Sequence, residues 1–135
     1  TECAYHDVGE DILTNYHPRL PSVWFASDPD LLAACRRAAE RAPSRVHFGR
    51  TVTGEAFITD EGRAEINARF APLTVDMETA AMAHVCYVNR VPFAAIRSVT
   101  DTADHSGMGT FEENCARASA VSATLVLDVL RELTR

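Results

Sequence analysis

Three short clusters in the sequence combine carboxylates with an aromatic ring and a hydroxyl. Their members are Glu55, Phe57 and Ile58 in the first cluster, Asp76, Met77 and Glu78 in the second, and Thr100, Asp101 and Asp104 in the third. Carboxylates accept paired hydrogen bonds from vicinal hydroxyls, an aromatic face stacks on a planar base, and a carboxylic acid can donate a proton. Together the clusters predict a site for a ligand that carries a sugar and a planar base.

Each cluster also has a simpler structural interpretation. Asp76 and Glu78 could cap the helix that follows them, because acidic residues favour the positive end of a helix dipole. Asp101 and Asp104 could form turns in a loop, and Phe57 could belong to the core. Residue types and spacing leave both interpretations open.

The elements that must position these clusters alternate between strand and helix. Strand patterns cover residues 44–59 (one strand, or two with a bend near Gly49 or Gly54), residues 73–76, and the apolar stretch 91–101, which is typical of a strand buried on both faces. Helical patterns cover residues 29–42 after an N-cap at Ser27 or Asp28, residues 60–69, 78–89 and 111–133. This order predicts an α/β sheet flanked by helices, in which ligands bind beyond the carboxyl ends of the strands. Residues 1–24, rich in Tyr, His and Pro, are expected to form an ordered loop.

Composition and charge narrow the function classes. The chain has 135 residues, enough for one domain, and its net charge of −6 argues against nucleic acid or an anionic membrane as a partner. No stretch approaches the roughly 18 apolar residues of a membrane span, and no signal-peptide pattern opens the chain. The four Cys are widely separated and the five His lack metal-ligand spacing. We therefore expect a cytoplasmic protein with reduced thiols and no metal site.

Several motifs carry a resemblance to a known family. "VTGEAFIT", "VDMETAAMAHVC", "VPFAAIRSVTDTAD" and "TFEEN", with "YHD" at residues 5–7, resemble the carboxyl-terminal portion of the 5′-methylthioadenosine/S-adenosylhomocysteine nucleosidases. These belong to the purine nucleoside phosphorylase and nucleosidase superfamily. The resemblance implies a mixed, largely parallel sheet flanked by helices, without the family's amino-terminal strands, and a single partial domain over residues 1–135. It implies hydrolysis of the N-glycosidic bond of adenine nucleosides without a cofactor or a metal.

The resemblance also implies roles for residues that contact the sugar and the base. Glu78, in "DMET", matches the carboxylate that holds the ribose 2′- and 3′-hydroxyls, and Met77 lies beside it under the sugar. Phe57 matches the residue that stacks on the base, and the backbone of Ile58 matches the group that reads the adenine edge.

A second group of matched residues comprises the proton donor, its neighbour and a wall of the pocket. Asp101, in "SVTDTAD", matches the general acid that protonates N7 of the purine, so that adenine leaves as a neutral base. Thr100 stands where many relatives have Ser and keeps a hydroxyl beside the acid. Phe111 matches a wall of the pocket near the sugar and its 5′ substituent.

The sequence also departs from the family pattern. Asp76 stands where the usual motif has Glu, and Thr79 replaces the usual Ala. The Glu that activates the attacking water lies, in relatives, in a segment before the "YHD" loop. Asp104, His105 and Glu55 are candidates to replace it, but their spacing supports none of them. We therefore expect catalysis by this chain alone to be incomplete.

Alternative functions remain open at this stage. One is a purine nucleoside phosphorylase of the same superfamily, in which phosphate replaces water. Another is a truncated, non-catalytic domain that binds a nucleoside. The resemblance further implies a homodimeric enzyme of methionine salvage, in which the "AYHDVGED" region of one subunit covers the 5′ end of the substrate in the other.

Overall fold

The computed structural model describes residues 1–59, 61–102 and 108–134. The chain divides into two compact units. The first comprises Thr1–Asp28 and Phe48–Ala94, and the second comprises Pro29–His47 and Ala95–Arg135. The first unit contains the β-sheet, and the second contains two helices and the segment around Asp101.

The sheet of the first unit is mixed and largely parallel. Its strands are β1 (Glu2–Tyr5), β2 (Phe25–Ala26), β3 (Arg50–Thr53) and β4 (Thr74–Asp76). They lie in the order β2-β1-β3-β4, in which β1 is antiparallel to β2 and parallel to β3, and β3 is parallel to β4. The predicted fold class is confirmed.

Helices complete both units. They are α1 (Glu10–Asn15), α2 (Pro29–Ala39), α3 (Arg63–Phe70), α4 (Thr79–Asn89) and α5 (Met108–Leu133). In the described part of the chain, none of them is long and apolar enough to span a membrane.

The core of the first unit has two layers. One cluster joins Cys3 and Phe25 of the strands to Leu13 of α1 and Ala83 of α4, and the other joins Ala4 and Val52 to Ile66 and Phe70 of α3. Cys3 and Ala4 are neighbours on β1 and therefore point to opposite faces of the sheet. Burial of each large apolar side chain contributes about 1.5–3 kcal/mol to folding, which fixes α3 and α4 to the sheet.

The second unit is built around the pair of helices α2 and α5, which pack together. Arg37 Nε donates to Glu132 Oε2 at 3.1 Å, and Arg41 also bonds the Glu132 carboxylate. Pro29 opens α2, as predicted, because its fixed φ suits the first helical position. Helix α5 begins at Met108, three residues before its predicted start at Phe111.

The prediction of a loop at the amino terminus was wrong. Within the predicted loop, residues 1–24, Glu2–Tyr5 forms a central strand of the sheet and Glu10–Asn15 forms a helix. Strand β1 is only four residues long, and its buried side chains, Cys3 and Ala4, are small. Its local pattern is therefore weak, and pairing with the distant β3 decides its structure.

The prediction of a buried strand over residues 91–101 was also wrong. The described residues 91–102 contain no strand, and Val91 and Val99 are 52% and 59% exposed. An apolar run indicates burial on two faces, but a strand forms only where a neighbouring strand supplies hydrogen-bond partners.

The buried side of helix α4 also differs from the prediction. The side chains predicted to share one side, Ala81, Val85 and Val88, are exposed, whereas Thr79, Ala80 and Ala83 are buried.

Candidate active site

The carboxyl ends of three parallel strands lie level at one edge of the sheet. Tyr5 of β1 pairs with Thr53 of β3, and Thr53 pairs with Asp76 of β4. The next residues continue this alignment, because the His6 amide donates to Thr53 O at 2.9 Å and the Gly54 amide donates to Asp76 O at 3.1 Å. The segments that follow β1, β3 and β4 therefore begin side by side, as expected for a ligand site in a parallel sheet.

Asp76 is the centre of a hydrogen-bond network at the β4–α4 junction. Its Oδ1 accepts from Thr53 Oγ1 at 2.7 Å, and its Oδ2 accepts from Thr51 Oγ1 at 3.0 Å. The backbone amides of Glu78 and Thr79 donate to Oδ1 at 3.1 and 2.9 Å. The carboxylate therefore ties β3 to β4 and caps the first turn of α4.

The environment of Asp76 favours its charged form. The residue is 8% exposed, and this burial acts to raise the pKa of its carboxyl. Hydrogen bonds from the Thr53 hydroxyl and from the amides of Thr79 and Glu78 outweigh burial and lower the pKa below its ordinary value. The capping interpretation is therefore correct for Asp76, which is an anionic structural anchor at this site.

Glu78 has a different position from Asp76, although only one residue separates them. It occupies the N-cap position of α4, its side chain makes no capping hydrogen bond, and the residue is exposed. Asp76 supplies the capping bonds in its place. The Glu78 carboxylate therefore stands at the carboxyl edge of the sheet, where it can serve a ligand.

Phe57, Ile58 and Met77 lie near this edge of the first unit. Phe57 is 38% exposed and Met77 is 44% exposed, so the core interpretation of Phe57 was wrong. Ile58 is half-buried and packs against the cluster that contains Val52 and Phe70. An exposed aromatic ring and an exposed thioether beside polar groups are suitable contacts for a base and a sugar.

The loops after β1 and β3 are joined directly. The backbone amide of Glu55 donates to Asp7 Oδ2 at 2.7 Å. Gly54 allows a close approach at the same place, since a Cβ there would lie 2.2 Å from Nε2 of His6. The "YHD" and "VTGEAF" motifs are therefore in contact within the first unit.

The segment with Asp101 belongs to the second unit. Thr100 Oγ1 donates to Asp101 Oδ1 at 2.9 Å, and Asp101 is half-buried. Nδ2 of Asn114, on α5, donates to the backbone oxygen of Thr100 at 3.1 Å. Phe111, on the first turn of α5, is 36% exposed. Asp104 and His105 lie outside the described residues.

The predicted site residues are thus distributed over both units. The first contains Phe57, Ile58, Met77 and Glu78, and the second contains Thr100, Asp101 and Phe111. Sequence reasoning missed Thr51, Thr53 and Asn114. The threonines had a signal, because residues i and i+2 of a strand share a face and "TVT" places two hydroxyls on one side.

Comparisons with known proteins agree with the resemblance of the motifs. A family model described as the phosphorylase superfamily matches residues 1–131. A 5′-methylthioadenosine/S-adenosylhomocysteine nucleosidase of Actinobacillus succinogenes is 38% identical over 98% of this chain and 60% of its own length. The chain therefore spans about 60% of the length of such curated relatives.

Solved structures give the same result for the fold. The nucleosidase of Neisseria meningitidis, in complex with methylthio-immucillin-A, has a TM-score of 0.83 and 37% identity, over 96% of this chain and 58% of its own. The nucleosidase of Colwellia psychrerythraea, in complex with adenine, has a TM-score of 0.82 and 34% identity, over 98% of this chain and 57% of its own.

Proposed function

Because the chain belongs to the phosphorylase superfamily, we propose that it acts in the hydrolysis of the N-glycosidic bond of adenine nucleosides such as 5′-methylthioadenosine and S-adenosylhomocysteine. The relatives that carry this activity in their names support the choice of reaction. The solved relatives bound to adenine and to methylthio-immucillin-A support the choice of substrate class.

One structural observation carries the proposal. Asp76 accepts hydrogen bonds from the amides of Glu78 and Thr79 at the start of α4, and this holds Glu78 at the carboxyl edge of the sheet. In this proposal Glu78 accepts hydrogen bonds from the ribose 2′- and 3′-hydroxyls. Its negative charge also stabilises the positive charge that grows on the sugar as the bond breaks. Met77 contacts the face of the sugar beside it.

The base is bound by the segment after β3 in this proposal. Phe57 stacks on adenine, for which its exposed ring is suitable. The backbone of Ile58 hydrogen-bonds to the adenine edge, and the packing of its side chain on the core keeps that backbone in place. Phe111 forms a wall near the sugar and its 5′ substituent.

Asp101 is the proposed general acid. Cleavage of the bond leaves negative charge on the departing purine, and a proton delivered to N7 removes that charge. A positioned acid typically contributes a factor of about 10²–10⁴. The Thr100 hydroxyl, which donates to Asp101 Oδ1 at 2.9 Å, orients the carboxyl. The electron pair of the broken C1′–N9 bond leaves with the purine, which the N7 proton makes neutral adenine. Water forms the new bond to C1′ and releases one proton, which replaces in solution the proton that Asp101 gave.

A direct assay tests the reaction and separates it from the alternatives. The chain is incubated with 5′-methylthioadenosine, with and without phosphate, and adenine and the sugar product are measured. Adenine release without phosphate supports hydrolysis, whereas release only with phosphate and a sugar 1-phosphate as product would favour the phosphorylase. Binding of adenine with no release in either condition would favour a binding domain. Release by this chain alone would also contradict the expectation that the water-activating group is absent.

We also propose the domain organisation, the oligomeric state and the cellular location of the protein. We take residues 1–135 as one partial domain because a single family model matches residues 1–131. A homodimer is supported by exposed apolar side chains such as Val85 on α4 and Leu127 on α5. We propose a cytoplasmic role in methionine salvage from the resemblance of the motifs, and the four Cys are free thiols, as in proteins of a reducing compartment. Burial raises the pKa of the Cys3 thiol to about 12, so this thiol stays protonated and inert.

A further inference from the structure

The side chain of Asn114 connects helix α5 to the segment that carries Asp101. Asn114 Nδ2 donates to the carbonyl oxygen of Thr100 at 3.1 Å. That carbonyl and the amide nitrogen of Asp101 belong to one planar peptide group. A hydrogen bond to the carbonyl therefore restricts the rotation of the peptide from which the Asp101 side chain projects.

Asn114 is itself oriented by a neighbour on the same helix. Arg117 Nη2 donates to Asn114 Oδ1 at 3.1 Å. The guanidinium is only a donor, so it must face the oxygen of the amide and not its nitrogen. This contact selects the orientation in which Nδ2 is directed to Thr100. Arg117, Asn114 and Thr100 thus form a chain of contacts that ends at the residue before Asp101.

Side-chain hydrogen bonds hold the part of this segment around Asp101. The described residues 91–102 contain no strand, so no ladder holds the backbone next to Asp101. The Thr100 hydroxyl orients the Asp101 carboxyl relative to the segment, and Asn114 holds the segment relative to α5. Proton transfer requires donor and acceptor within hydrogen-bond reach, and a displacement of 1 Å can cost a factor of about 10² in rate.

We propose that Asn114 is a positioning residue for proton transfer by Asp101, a role that rests on the proposed function. Asn114 affects cleavage of the bond to the base and does not affect binding of the ribose or of the adenine ring. Its loss therefore lowers kcat with little change in KM. The loss is selective for substrates whose leaving group requires a proton.

The test compares two variants and two substrates. Asn114→Ala removes the amide, and Asn114→Leu removes it while keeping a similar volume. Glu113→Ala, at the exposed neighbouring residue of α5, is the matched control. The substrates are 5′-methylthioadenosine and the same sugar linked to p-nitrophenolate, which departs without protonation.

Both Asn114 variants are expected to lower kcat for 5′-methylthioadenosine by about 10-fold to 100-fold. For the nitrophenyl substrate their kcat should stay within about 2-fold of wild type, because the acid is not used. Glu113→Ala should leave both rates unchanged. An equal loss on the two substrates would assign Asn114 a purely structural role and overturn the inference, as would no loss on either.

A measurement that needs no turnover separates this inference from the proposed function. The backbone 15N shift of Asp101 reports the hydrogen bond to the Thr100 carbonyl, because the two atoms share a peptide group. The shift should move in Asn114→Ala and Asn114→Leu and stay fixed in Glu113→Ala. If it does not move, the inference fails even where the wild type is active. If the wild type cleaves neither substrate even when the amino-terminal portion of a relative is added in trans, the proposed function fails, and the catalytic role of Asn114 fails with it.

Discussion

The two regions that carry carboxylates for the proposed reaction are built in different ways. At the β4–α4 junction, Asp76 accepts hydrogen bonds from Thr51, Thr53 and two backbone amides, and it is almost fully buried. In the second unit, Asp101 is half-buried and accepts from the adjacent Thr100, while Asn114 holds the backbone. The Asp76 carboxylate is enclosed by donors from strand β3 and from the start of helix α4. The Asp101 segment depends on a side chain of its own and on one from helix α5.

This difference distinguishes a structural carboxylate, Asp76, from the proposed catalytic carboxylate, Asp101. A carboxylate surrounded by donors is held as an anion, as the lowered pKa of Asp76 shows, and an anion with filled oxygens cannot donate a proton. The hydrogen bonds of Asp76 instead stabilise the β4–α4 junction, where Glu78 lies. We expect substitutions at the junction to change stability and substrate binding together. Substitutions at the acid segment should change the rate of bond cleavage with little effect on stability.

The largest effect is expected for Asp101→Asn, which removes the proposed proton donor at nearly constant shape. Its kcat for 5′-methylthioadenosine should fall by a factor of about 10²–10⁴. Calorimetric binding of adenine and the thermal unfolding midpoint should stay close to wild type. Glu40→Ala, at an exposed acidic residue just after the end of α2, is the control. A parallel loss of rate and stability in Asp101→Asn would contradict the comparison.

The next effect is expected for Asp76→Ala. This change leaves the buried Thr53 hydroxyl and the amides of Glu78 and Thr79 without the acceptor they have now. The free energy of unfolding should fall by about 2–4 kcal/mol, because an unsatisfied buried polar group costs about 1–3 kcal/mol. Urea denaturation measures the loss. KM should rise as well, since the start of α4 no longer holds Glu78.

The matched control for this prediction is Asp76→Asn, whose amide oxygen can still accept while its nitrogen cannot. It should lose less stability than Asp76→Ala. If both variants unfold at the wild-type urea concentration, the network does not anchor the junction. The contrast with the acid segment would then disappear.

How far the sequence predicts this molecule depends on whether the signal is local. Helix α2 could be predicted because Pro29 marks its start, and β4 and α4 because an apolar run changes to helical spacing near Asp76. Strand β1 and the segment 91–101 could not, because pairing with distant strands decides whether a segment is a strand. Local signals are strong where one element meets the next, and weak where the partner is far along the chain.

The candidate site follows the same rule. The clusters at the ends of strands were visible in the residue types, but the different roles of Asp76 and Glu78 were not. Their separation depends on hydroxyls from β3, which lies more than twenty residues earlier in the chain. Asn114 ends the "TFEEN" motif, but the sequence gives it no role, because its contact with Thr100 joins two elements.

A smaller effect is expected for the pH dependence of stability. The pKa of Asp76 in the folded chain is lower than its ordinary value of 3.8, so the charged form is favoured by folding. Its contribution is complete above that value and is lost as the pH falls below 3.8 through the folded pKa. Unfolding free energies measured at several pH values between about 2 and 5 should fall less steeply in Asp76→Asn than in wild type. Identical slopes would show that other groups dominate the acid transition.

The smallest effect is expected at the α2–α5 contact of the second unit, where Arg37 bonds to Glu132. The guanidinium is half-exposed, so solvent screens the pair, and Arg37→Ala should lower the free energy of unfolding by less than about 1 kcal/mol. Arg41 keeps a partner on the buried Glu132 in this variant. If kcat is unchanged in Arg37→Ala but falls in Asn114→Ala, the rate depends on the hydrogen bond from Asn114 to Thr100. It does not then depend on the general stability of α5. An equal fall in kcat in both variants would instead mean that the packing of α5 as a whole positions the acid.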